Sequence, residues 1–173
     1  MRDGLLGSIW FRALSSGDAA LLHELQGDPM TNAHNPLGAS PDLRASEKML
    51  GSWLQDRMDH GFGYELAFEG DRLAGICGAR RDLWRDMPVI NLYWRLLPDY
   101  WGKGLAGDLG WHALDIARSV TRLADELIVA RMLPTNAGSV RVAEKLGLTR
   151  RSDLDGEAYG VRWILYTAAV MIP

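Results

Sequence analysis

The chain holds one cysteine, Cys77, among 173 residues. That scarcity excludes an intramolecular disulfide, a multi-cysteine zinc site and an iron–sulfur cluster. Cys77 lies in the apolar run "LAGICGA", where a buried, inert thiol is expected rather than a nucleophile. No stretch approaches the ~20 apolar residues of a membrane helix, and no basic region followed by a long apolar segment opens the chain. A basic excess is missing too. With 19 Lys and Arg against 22 Asp and Glu, the net charge is −3, which argues against a general nucleic-acid binder, because counterion release needs clustered cations. The densest basic stretch, Arg80 to Arg85, is interrupted by Asp82 and followed by Asp86, and reads as a solvated loop. Repeats and low-complexity tracts are also missing. These absences lead to an expectation of one cytoplasmic domain over residues 1–173, with no metal, no nucleic acid and no membrane as partners.

What is present suffices for a packed core. The apolar fraction is 47% and the charged fraction 24%, and a chain of this length buries about 70% of its unfolded surface without staples. "GSIWFRAL" (7–14) alternates as a strand, and "SSGDAALLHELQ" carries a serine cap and helically spaced leucines. Residues 27–42, dense in Gly, Pro and Asn, must be an irregular loop. An amphipathic helix follows over 42–61, then two short strands joined by Gly70-Asp71, then a strand over 88–98 ended by Pro98. A helix from about Lys103 to Arg122 precedes a strand at 126–133 and a helix over "NAGSVRVAEKLG", closed by Gly147. A short strand near 148–152 and an apolar closing strand over 159–171 complete the order β-α-α-β-β-β-α-β-α-β-β. A hairpin meander feeding a βαβ unit implies a mixed α/β fold, its sheet antiparallel first and parallel later.

Between that long strand and the third helix stands "WGKGLAG" (101–107). Gly102, Gly104 and Gly107 satisfy the dinucleotide pattern G-x-G-x-x-G. The next strand, however, ends "ARMLPTN" without the acidic residue that would hold a ribose, and only one βαβ unit is available. A P-loop lacks the Ser or Thr that should follow Lys103. The remaining reading is an anion cradle: backbone N–H groups from about Trp101 to Ala106 at a helix N-terminus, aimed at a pyrophosphate, with Lys103 at the rim.

This stretch resembles motif A of the GNAT superfamily of acyl-CoA N-acetyltransferases, in which Gln or Arg begins a loop of the form x-x-G-x-Gly/Ala. The matched residues are Trp101, Gly102, Lys103, Gly104, Leu105 and Ala106, with Trp101 departing from the usual first residue in a form similar to the RimJ/RimL-like branch. "NAGSVRVAEKLGL" (136–148) resembles that branch's N-x-x-S segment ending E-K-x-G at the expected distance downstream. The resemblance covers nearly the whole chain. It implies a mostly antiparallel sheet of six to seven strands, about four flanking helices, and a splayed parallel strand pair that holds acetyl-CoA. It also implies cofactor pairing with the backbone at Leu96 and Leu97, and contact with Asn136 and Ser139.

Acetyl transfer to an amine makes three chemical demands. The amine, with pKa ~8 for an α-amine and ~10 for Lys, must lose a proton; the oxyanion needs a donor; and the departing thiolate, near pKa ~8.5, benefits from an acid. By resemblance, Ser139 is the candidate acid, because Ala143 stands where many relatives carry Tyr. Asn91 stands where many carry Glu, and an amide can hold a water but takes no proton. His34, in the loop that borders the acceptor site of relatives, is a candidate for base or substrate contact. Tyr93 and Arg95 alternate with Asn91 and share its face of the strand; Tyr64, Glu65 and His112 are weaker candidates. The expected partner is a primary amine, a protein N-terminus or a small molecule, which the acidic net charge tilts toward a cation, and a homodimer is left possible. The rival is an acyl-CoA-binding sensor without turnover, suggested by the residues at positions 91 and 143.

Overall fold

Short turns join three consecutive strands of the sheet. The computed structural model describes residues 9–120 and 126–169. Its elements are β1 (Ile9–Ala13), α1 (Ala19–Gln26), α2 (Leu43–His60), β2 (Tyr64–Glu69), β3 (Arg72–Trp84), β4 (Met87–Leu96), α3 (Leu105–Val120), β5 (Leu127–Met132), α4 (Ala137–Lys145), β6 (Thr149–Arg150), β7 (Gly156–Ala158) and β8 (Val161–Thr167). Gly70, at φ 57°, lets β2 turn into β3 in two residues, with Glu69 opposite Arg72. The parts of the expected strands and helix at 7–8, 121–122 and 170–171 lie outside the described residues.

The basic stretch 80–85 is not a solvated loop. It is the end of β3, and the turn to β4 is made by Arg85 and Asp86, both at positive φ (51° and 63°), with Trp84 opposite Met87. Two left-handed residues give the hairpin geometry that suits twisted strands. The sequence signal was hidden because neither turn residue is Gly or Asn. The charges are absorbed by pairing: Arg80 with Asp56, Arg81 with Glu126 at 2.8 Å, and Asp82 with Arg131. Trp84 is buried and its indole N–H donates to the Leu154 carbonyl at 2.8 Å. A second departure is β7, an unexpected strand that pairs with β8.

The sheet runs β1-β2-β3-β4-β5-β8-β6, and every neighbouring pair is antiparallel except β4 and β5. Side-chain alternation gives it two apolar faces. On one, Leu66, Phe68 and Ile76 pack under Leu22, Leu25 and Leu50 of α1 and α2. On the other, Ala74, Ile90, Leu92 and Ala130 meet Leu109, Ala113 and Leu114 of α3 and Val142 and Ala143 of α4. A fully buried leucine contributes about 1.5–3 kcal/mol, so both helix layers are held mainly by these faces. Asp42 caps α2 by accepting from the Ala45 N–H at 2.7 Å, and Gly61, at φ 78°, ends it. Gly147 (φ 73°) follows α4 as expected.

Gly75 sits where β3 passes the end of β4. A Cβ there would lie 2.3 Å from the Arg95 carbonyl oxygen and 3.1 Å from Leu109. Gly75→Ala is therefore expected to destabilise the fold by about 2–3 kcal/mol, at the upper end of overpacking costs. Denaturant titration checks this, and an unchanged midpoint would refute the close approach.

Candidate active site

The pairing of β4 with β5 is short. It spans Val89–Leu92 against Leu127–Ala130 and then stops. Beyond it, β4 stays with β3 as far as Leu96, and β5 stays with β8 as far as Met132. The two strands part, and a cleft of about 1020 Å³ opens between them. Its walls include Tyr93, Trp94 and Arg95 on one side, Arg131, Met132 and Leu133 on the other, and the glycine turn at its end.

The glycine turn is open to this cleft. Gly102 and Gly104 adopt φ of 74° and 84°, which a residue with a Cβ rarely adopts, and a Cβ on either would meet no atom within 4 Å. The Trp101 N–H donates to the Pro98 carbonyl and the Gly107 N–H to the Gly104 carbonyl. The N–H groups from Gly102 to Ala106 have no acceptor among the described residues. Five consecutive unspent donors at the start of a 16-residue helix can receive an anion, and the helix dipole adds to them. Trp101 thus falls outside the donor run expected for it. Its indole N–H donates instead to the Leu96 carbonyl at 3.0 Å. Lys103 lies over the Tyr100 ring at 5.2 Å.

Leu96 and Leu97 divide their roles. The Leu97 N–H donates back to Ala74 at 2.9 Å, so Leu97 cannot offer that donor to a ligand. Ladder alternation then turns the peptide groups of Trp94 and Leu96 toward the gap left by β5. The usable donors on this strand are the N–H groups of Leu96 and Trp94. Asn136 accepts from the Ser139 N–H at 3.0 Å, starting α4, and both residues line the cleft. The Ser139 hydroxyl itself has no hydrogen-bond partner among the described residues. Ala143 is fully buried against the core.

Asn91, Tyr93 and Arg95 line the cleft as their alternation implies, and His34 lines it as well. The Asn91 side-chain oxygen accepts from Arg131 Nε at 3.2 Å, while Arg131 also pairs with Asp82 and covers the Trp84 ring. The Tyr93 hydroxyl accepts from Gln26 at 3.1 Å. Three weaker candidates lie elsewhere. Tyr64 is buried, which raises its phenol pKa well above the ordinary value. His112 lies 2.8 Å from Glu65 and stacks on Phe11, and that hydrogen bond lowers the Glu65 carboxyl. Burial likewise raises the Cys77 thiol, which takes no part in the cleft.

Three lining features were missed from the sequence. Tyr100 is 2% exposed and its hydroxyl has no partner, yet it borders the cleft. Arg141 and Lys145 reach the cleft from α4; their spacing of four on one helix face was the available signal. Among the described lining residues there is no Asp or Glu. The charge of the cleft therefore runs opposite to the net charge from which a cationic acceptor was expected.

The acetyltransferase (GNAT) domain family matches residues 8–149. The chain belongs to this GNAT family. Solved structures agree in fold. An acetyltransferase from Agrobacterium tumefaciens is 20% identical, with 97% of this chain and 99% of that one covered and a TM-score of 0.74. For spermidine N-acetyltransferase from Vibrio cholerae, in complex with CoA and spermine, the values are 16%, 92%, 95% and 0.72. For yncA from Salmonella typhimurium, with its cofactor acetyl-CoA, they are 20%, 96%, 96% and 0.69. The GNAT fold is thus present here: among the described residues, four α-helices lie on a mostly antiparallel sheet with one parallel pair. Among the described residues, no helix is long and apolar enough to cross a membrane, and no cluster of His, Cys, Asp or Glu could hold a metal.

Gly104→Val places a branched side chain at φ 84° in the open end of the cleft. Strain of this kind costs about 1–3 kcal/mol, so the variant should fold with a modestly lower melting temperature. CoA affinity should fall at least about tenfold. Unchanged affinity by calorimetry would remove the turn from the binding site.

Proposed function

We propose that the chain is a cytoplasmic N-acetyltransferase, one domain over 1–173, that acetylates a primary amine by direct attack in a ternary complex. The observation that carries this reading is the run of unspent N–H groups at Gly102–Ala106 beside the parting of β4 and β5. Five donors and a helix start fit a pyrophosphate, and the gap fits an extended chain that pairs with a strand. We assign the chain to the RimJ/RimL-like branch on "WGKGLA" and the N-x-x-S segment.

Bound acetyl-CoA would supply an activated thioester. The residues of this chain do the rest. Gly102–Ala106 and the α3 N-terminus hold the phosphates, with Arg141 and Lys145 adding charge. The N–H groups of Trp94 and Leu96 pair with the amide arm, and one of them donates to the acyl oxygen as negative charge develops there. Ser139 donates a proton to the departing sulfur. No carboxylate lines the cleft among the described residues, so the amine's proton goes to His34 or to water held at Asn91. An α-amine, at pKa ~8, is already partly neutral near pH 7 and needs little help. That favours a protein N-terminus or a small α-amine as acceptor.

Thermal-shift titration with acetyl-CoA, CoA and NADH tests the cofactor: only the two CoA species should stabilise the protein. Thiol release with an amine panel tests turnover. Ser139→Ala should lower kcat about 10²-fold or more, in the range of general acid catalysis, with little change in acetyl-CoA affinity. Equal losses in both would make Ser139 a binding residue. Cofactor binding with no turnover by the native protein would select the sensor reading, which the buried Ala143 favours.

A further inference from the structure

Arg95 lines the cleft beside Gln26 and Asn32 with its charge unanswered. Its neighbours are neutral. Nη1 donates to Gln26 Oε1 at 2.5 Å and to Asn32 Oδ1, and the guanidinium lies 5.4 Å from the Tyr93 ring centre. Those acceptors are themselves fixed. Gln26 and Asn32 are 3% and 4% exposed, Gln26 also donates to Tyr93, and the Asn32 amide donates to the carbonyls of Leu25, Gln26 and Asp28. The arginine is thus held rigidly by one nitrogen. Nε and Nη2, the pair that grips a carboxylate side-on, have no partner among the described residues.

The other cations of the cleft are placed differently. Arg131 is paired with Asp82. Arg141 and Lys145 are on α4, the helix that the proposed function puts beside the cofactor. Among the described residues, Arg95 alone joins a fixed, carboxylate-free guanidinium to the strand that carries Tyr93, in a cleft that His34 also lines. The same cleft is lined by Met30, Met49 and Trp53, and the Trp53 ring lies 6.3 Å from that of Tyr93, so the lining is partly apolar. A low-dielectric wall strengthens an ion pair and disfavours a second cation.

We propose that Arg95 is the anchor for a carboxylate on the acceptor, and that the acceptor is an amine carrying a carboxylate and an apolar side chain, of the α-amino-acid type, rather than a polyamine. The inference rests on the acetyl-transfer reading for the amine, but the anchor stands on its own geometry. Specificity follows from what each ligand leaves unpaired. An amino acid's carboxylate fills the guanidinium fork with two acceptors; its amide offers one acceptor oxygen and no charge; a polyamine brings a like charge to it.

The test uses binding as well as turnover. N-acetyl-L-leucine and N-acetyl-L-leucinamide are titrated separately into the CoA-saturated protein by calorimetry. L-leucine, L-leucinamide and spermine are compared by thiol release. The acid should bind the native protein roughly 10- to 100-fold tighter than the amide, the range for a hydrogen bond to a charged group. Arg95→Gln should bring that ratio to within about threefold of unity, and Arg95→Lys should keep part of it, since Lys retains the charge but not the fork. Each ratio is internal to one protein, and stabilisation by CoA certifies that the variant is folded. Equal binding of acid and amide, no binding of either, or a preference that survives in Arg95→Gln overturns the anchor. Faster turnover of spermine than of leucine overturns the acceptor class. Selective binding of the acid with no thiol release from any amine upholds the anchor and rejects acetyl transfer, so the two failures are distinct.

Discussion

The parting of β4 from β5 is the constraint on which the site depends. A parallel pair in mid-sheet normally satisfies the outward peptide groups of both strands. Here each strand keeps its outer neighbour, β3 or β8, and gives up its inner one after Leu92 and Ala130. Leaving such groups unpaired in an interior costs about 1–3 kcal/mol apiece. The structure offsets part of this through the Trp101 indole, which takes the Leu96 carbonyl. The rest face the cleft, where water or an extended ligand can meet them. A gap in a ladder is thus a built binding surface, kept open because both flanking pairs are antiparallel and well buried.

The two ends of that gap are finished by opposite means. At the α3 end, the chain removes side chains: glycines at 102 and 104 take positive φ and leave donors bare. At the loop end, it adds buried amides. Asn32 ties three carbonyls of residues 25–28, and with Gln26 it fixes Arg95. A segment with few apolar residues is ordered by hydrogen bonds rather than by burial, because fully satisfied polar networks in a low-dielectric setting are rigid. Rigidity at the loop end and bare backbone at the α3 end would suit a reaction that needs two ligands held in register.

Much of this was legible in the sequence where a local rule acts alone. Gly70 announced a hairpin, Gly147 a helix end, and the alternation 91-93-95 a shared face. Failures came where the deciding contact is remote. Arg85-Asp86 makes a hairpin turn without Gly or Asn because Trp84 and Met87 are pinned by the sheet and by Leu154. β7 has only three residues, too few for periodicity to register, and exists through its pairing with β8. The N–H groups of Trp101 and Leu97 bond within the chain, which the sequence does not reveal: it shows which peptide groups are near a site, but not which are already spent.

Net charge does not describe the cleft, for a similar reason. The chain carries three more acids than bases, yet none of its carboxylates lines the cleft among the described residues, and several are paired elsewhere. Asp18 pairs with Arg12, which holds its carboxyl below the ordinary range; Glu65 meets His112 and Arg57; Asp155 takes both Arg150 and Arg162. An ion pair is neutral at a distance beyond its own size, because screening leaves only local fields at physiological salt. The potential a ligand meets is therefore set by unpaired groups, not by the sum. In the cleft those groups are the donors of the glycine turn, Arg141, Lys145 and Arg95. An acidic protein can in this way present a wholly basic site, and an acceptor with its own carboxylate would complete the pairing that the fold leaves open.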